Sequence, residues 1–143
     1  MMHMLLRWPE AYDPALWPFA LEQAVLLWNH IPKQNTRLSP IELFTGVTFP
    51  DHNVIQRARV WGCPTWVLDP RLADGKSVPK WTKRSRLGVY LGCSAHHSTT
   101  VGRILNMTTG SISPQYHVVY DELFTTVQGK ITDGLFDAQG RQA

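Results

Sequence analysis

Between residues 60 and 122 the chain breaks into short runs: VWGCPTWVLD (60–69), RLGVYLGC (86–93), VGRILN (101–106) and QYHVVYDE (115–122). Each is rich in β-branched and aromatic side chains, which suit a pleated, half-buried surface. Turn chemistry separates them: Asp69-Pro70, Asp74-Gly75, the Ser/His/Thr stretch 94–100, and Asn106 to Gly110. Several short strands so spaced suggest a small barrel or sandwich. In the second run Leu87, Val89 and Leu91 share one parity and are expected to face a core. Arg84, Arg86 and Tyr90 share the other parity. They are expected to stand together on an outer face, where arginines hold phosphates and an aromatic ring stacks on bases or sugars. An ordinary polar face with one exposed aromatic is the competing reading.

The first third reads as helix. In YDPALWPFALEQAVLLWNHIP, Asp13 is placed to cap and Pro14 suits a first turn. Trp17, Ala20, Ala24, Leu27 and Ile31 recur at helical spacing, with Leu21 and Trp28 widening the stripe. Pro18 lacks an N–H, so the regular helix is expected to begin there after a looser turn, and Pro32 ends it. The stripe predicts packing against a sheet outside this chain. A second, small helix is signalled by LSPIELFTG: Ser39 as N-cap, Pro40 at the first position, Glu42 closing a capping box and Gly46 as the stop. Residues 47–56 show no clear period and read as a linker. The polar, Gly-containing residues 128–143 read as a disordered tail.

Formal charge is +3, which says little, but its distribution is uneven. Residues 57–103 hold nine bases (Arg57, Arg59, Arg71, Lys76, Lys80, Lys83, Arg84, Arg86, Arg103) against Asp69 and Asp74, a local +7 that leaves the remainder at −4. Such a block is the usual footprint of phosphate binding, although a solvated lysine-rich loop looks the same.

Catalytic chemistry is not evident. Cys63, Cys93, His96 and His97 fit no zinc-finger spacing, and two cysteines make no disulfide framework. Ser94 and Ser98 lack a nucleophile elbow, and no phosphate loop is found. Asp121 and Glu122 are better placed to cap the next turn than to hold a cation. The opening MMHMLLRWPEAYDP has no signal-peptide pattern, so an intracellular, reduced setting is expected, with the nucleus among the compartments open to it. No membrane partner is expected.

The ordered series LWPFALEQAVLLWNHIP, SPIELFTG, WGCPTWVLDP, KWTKRSRLGVYLGCS and LNMTTGSISPQYHVVYDE resembles the end of the integrase in polyproteins of copia-type LTR retrotransposons, in particular diatom and algal copies. The likeness covers nearly all of residues 5–127. It implies an α+β chain: residues 1–46 as the last helices of an RNase H-like catalytic core, residues 57–127 as an SH3-like β-barrel. It also implies a DNA-integration setting and a non-specific, phosphate-dominated partner, DNA or RNA, with other integrase subunits as further partners. Lys76, Lys80, Lys83, Arg84, Arg86, Tyr90 and Arg103 are the residues expected to hold nucleic acid. Such integrases use Mg²⁺ held by two Asp and one Glu. Their positions would lie upstream of Met1, so no enzyme activity, resident metal or cofactor is expected of this chain. It reads as a non-catalytic fragment of a degenerate element. The alternatives are a protein-interaction or structural barrel, or an inert product of such an element.

Overall fold

A computed structural model describes residues 1–49, 52–77, 79–98 and 100–128. It opens with α1 (Met2–Arg7), followed by two 3-10 turns, Pro9–Ala11 and Pro14–Leu16. The Asp13 carboxylate caps the second turn by accepting the Ala15 N–H at 2.9 Å. The long helix α2 (Trp17–His30) starts directly after it, with proline in its first turn, so the looser start expected at Pro18 is present. Helix α3 (Pro40–Thr45) carries the complete capping box. The Glu42 N–H donates to Ser39 Oγ at 3.4 Å, Glu42 Oε2 accepts the Ser39 N–H at 2.7 Å, and Gly46 turns left-handed at φ 70°. The expected linker contains one short helix, α4 (Asn53–Gln56).

The second half holds β1 (Pro64–Leu68), the short helix α5 (Pro70–Ala73), β2 (Ser85–Cys93), β3 (Gly102–Asn106), β4 (Ile112–Gln115) and β5 (Val118–Tyr120). The turn before β4 is closed by Asn106, whose Oδ1 accepts the Thr108 N–H at 2.9 Å while its carbonyl accepts the Gly110 N–H at 2.8 Å. The strands form one antiparallel sheet in the order β4-β3-β2-β1-β5. Its two edges, β4 and β5, are joined by only Tyr116 and His117. Three residue steps span at most about 11 Å. In a flat sheet, four strand spacings would hold the edges about 19 Å apart. The sheet therefore curls until its edges nearly meet, and the chain is an α+β structure built on this curled sheet.

The curl gives the sheet an inside. Tyr90 pairs with Ile104, and Thr65 with both Gly88 and Tyr120, which places all of them on one face. Their side chains converge across the hollow. The Tyr90 and Tyr120 rings meet edge-to-face at 5.2 Å, and a Cβ on Gly102 would strike the Tyr120 hydroxyl at 2.8 Å and the Tyr90 ring at 2.9 Å.

The other face of β2 is covered by the N-terminal segment. Val89 and Leu91 are fully buried there. α2 lies along β2, with Gln23 Oε1 accepting the Cys93 N–H at 3.2 Å. Met4 packs on Gly62, whose Cβ would fall 3.1 Å from the Met4 side chain. Met4, Trp8, Ala11 and Leu16 thus belong to the same core cluster as Val67, Val89, Tyr90 and Ile104. Among the described residues, the buried apolar side chains of residues 1–46 and of the sheet form one cluster.

One expectation is corrected. Tyr90, expected beside Arg84 and Arg86 on an outer face, is 2% exposed. The alternation is real, but the face with Tyr90 lines the hollow, and Arg86 of that face emerges only at its end. The tryptophan stripe of α2, expected to pack outside this chain, is turned away from this sheet: Phe19, Gln23 and Leu26 face it, while Trp17, Leu21 and Trp28 are 58%, 53% and 67% exposed. Of the expected tail, Gln128 closes a turn onto the Phe124 carbonyl at 3.2 Å, and the rest lies outside the described residues.

Candidate nucleic-acid interface

The connection from β1 to β2 is built as a projecting arm. Its neck is fixed by the pairing of Leu68 with Ser85 and by the Asp69 N–H donating to the Arg84 carbonyl at 2.9 Å. Asp69 then starts α5, accepting the Arg71 N–H at 2.9 Å and pairing with its guanidinium at 3.0 Å. The Arg71 hydrogen bonds, with the nearby charge of Arg86 adding, hold the Asp69 carboxyl below the usual range. The charge of Arg71 is thereby offset by Asp69, and the arm beyond it carries further cations.

Lys76, Lys80, Lys83, Arg84 and Arg86 are all exposed on this arm and the first turn of β2. Among the described residues none of Lys76, Lys80, Lys83 and Arg84 is in an ion pair. Between Lys80 and Lys83 stands Trp81, 98% exposed. An indole held in water costs the full hydrophobic penalty of its surface. Flanked by cations, it offers a flat π-face beside a phosphate-attracting field, the combination that stacks bases. Trp81 is the residue that the sequence reading missed. The signal was available in KWTKRSR, where an aromatic sits inside the basic run with no apolar neighbour to bury it.

The other two expected contacts lie elsewhere. Tyr90 is in the hollow, its hydroxyl 3.4 Å from Cys93 Sγ, and burial, with the Cys93 contact adding, pushes its pKa up. Arg103 is tied to α2, with its guanidinium 2.6 Å from Glu22 and 5.2 Å above the Phe19 ring. These contacts make it a clamp between β3 and the helix. The arrangement thus brings together five of the seven expected residues and sets Tyr90 and Arg103 apart.

A second basic group sits where the hollow opens. A cleft of about 270 Å³ is lined by Arg57, Arg59, Tyr90, Thr100, Gly102 and Tyr120. Arg59 lies 5.3 Å over the Tyr120 ring and 3.3 Å from Glu122. Its charge is offset there, so this cleft is less cationic than the arm.

Among the described residues, the groups with possible catalytic chemistry are few and separate. Ser94 Oγ is 2.7 Å from His97 Nδ1, but among the described residues no carboxylate holds the other side of that ring. Such an orienting partner is what a hydrolytic triad needs. Burial pushes the Cys63 thiol up to about 12, far from a reactive thiolate. Among the described residues no group of three or more His, Cys, Asp or Glu could hold a metal ion. No helix of the described residues is long and apolar enough to cross a membrane.

No family model matches this chain, and neither a curated protein nor a solved structure matches it.

Proposed function

We propose that this chain is a nucleic-acid-binding module of the retrotransposon-integrase kind, non-catalytic by itself, whose curled sheet is an SH3-like barrel. The observation that carries the reading is the β1–β2 arm: four exposed cations without an ion-pair partner among the described residues, set around a tryptophan 98% exposed. The edge-to-edge link of the sheet supports the barrel assignment. The ligand is DNA or RNA, held mainly by phosphates and so without sequence preference. Strand transfer with Mg²⁺ or Mn²⁺ is not expected, since in-line displacement needs a carboxylate cage around the metal pair.

The test is binding of labelled DNA to the full chain over a salt series. With about five phosphate contacts, log K should fall against log[salt] with a slope of roughly −4.5, and affinity near physiological salt should be on the order of 10⁻⁴ to 10⁻⁶ M. Salt-insensitive retention would oppose the proposal. The exposed tryptophans of α2 favour a second reading, an interaction barrel that joins other protein subunits. Under that reading the chain would bind protein while its DNA affinity stayed unmeasurable.

A further inference from the structure

The α2 helix has a sheet-facing side of mixed polarity and an apolar outer side. Phe19, Gln23 and Leu26 turn toward the sheet, while Trp17, Leu21, Ala24, Trp28 and, at the C-cap, Ile31 are exposed on the opposite side. The outer set is the more apolar of the two, and its steps of four, three, four and three residues are those of a coiled-coil seam. A contiguous apolar stripe left in water on one side of a helix marks a surface that a partner covers. We infer that a second copy of this chain covers this face, with the two α2 helices packed antiparallel about a twofold axis at Ala24.

The sizes along the seam carry the choice of occupant. An antiparallel twofold sets Trp17 against Ile31 of the second copy, Leu21 against Trp28, and Ala24 against Ala24. Each large side chain then meets a smaller one, and the small pair at the centre lets the helices approach. A parallel pairing would stack Trp17 on Trp17 and Trp28 on Trp28, with a gap at alanine. Charge agrees. Exposed Asp13 precedes the seam and exposed Lys33 follows it, so the antiparallel arrangement brings opposite charges together at both ends. Tryptophans bring roughly 150 to 250 Å² each, so the face offers on the order of 400 Å². That is a patch of the size that marks interaction sites. It falls short of the roughly 800 Å² per partner of a stable complex, so the dimer is weak and concentration-dependent.

The test is sedimentation velocity on the full chain across protein concentration, with two variants whose folding is checked by circular dichroism. Wild type should pass from monomer to dimer. Leu21→Glu with Trp28→Glu, both at exposed positions, should stay monomeric. Ala24→Cys should form a disulfide-linked dimer on oxidation that wild type, with its own Cys63 and Cys93, does not form. A monomer at every concentration, association indifferent to the double variant, growth beyond the dimer, or a dimer that Ala24→Cys fails to lock would each overturn the inference.

Discussion

Gly92 shows how one residue fixes the junction of helix and sheet. The register of β2 against β3 slips between Tyr90 and Cys93, and Gly92 takes φ +103° within that bulge. A Cβ there would sit 2.8 Å from Gln23 Oε1, the atom that accepts the Cys93 N–H. Gly92→Ala therefore meets both a disfavoured backbone and a buried polar contact. It should lower unfolding free energy by about 1–3 kcal/mol, measured in urea. Glu42 gives a pH dependence. The Ser39 N–H, then the Phe49 N–H at 2.8 Å, hold its carboxyl below its ordinary 4.5. A depressed carboxyl stabilises the fold above the unfolded value and loses that contribution as pH falls through the folded one. Stability should thus begin to decline as pH drops below 4.5, and less so in Glu42→Gln, compared by thermal melts along a pH series. Trp81→Ala removes an exposed ring with no core role. It should weaken single strands by roughly 1–3 kcal/mol and duplex by less, because stacking needs an open base. Equal loss on both would leave the ring without a stacking role.

At the scale of elements, local signals and long-range packing divide what can be read in advance. The capping box of α3, the Asp13 turn and the Asn106 turn are legible because their partners lie within a few residues. The β runs are legible as strands for the same reason, although the last run splits: its first residue, Gln115, ends β4, and Val118 begins β5. Which face of β2 is inside was not legible. Alternation distinguishes two faces, but here both are covered, one by the hollow and one by α1 and α2, so Tyr90 is as buried as Val89. The orientation of α2 was hidden likewise, since Gln23 and Glu22 take the sheet side through specific bonds to β2 and β3. Because Met4, Trp8 and Leu16 share the core with Val89 and Leu91, removing residues 1–46 should uncover the back of β2. Burying each such side chain is worth roughly 1.5–3 kcal/mol. The shortened chain should therefore melt earlier and aggregate more than the full one, read by light scattering during a thermal ramp. Higher solubility of the shortened chain would mean that the N-terminal segment and the sheet do not depend on each other.

Across the whole molecule, the curl and the charge pattern set what the protein can present to a partner. The curl draws the edges together through Tyr116 and His117, fills the hollow with Tyr90 and Tyr120, and leaves the β1–β2 arm as the projecting basic element. Arg71, Arg59 and Arg103 are each offset by a carboxylate, Asp69, Glu122 and Glu22. Of the six other bases of the block, Arg57 lines the cleft beside the hollow, and Lys76, Lys80, Lys83, Arg84 and Arg86 gather on the arm and the start of β2. The most direct measurement compares the salt dependence of DNA binding in wild type and in Lys83→Glu with Arg84→Glu. If the arm holds phosphates, losing two of about five contacts should flatten the slope of log K against log[salt] from roughly −4.5 to about −2.7 and weaken all DNA sequences alike. The same slope and affinity in both proteins, with folding intact, would contradict the account.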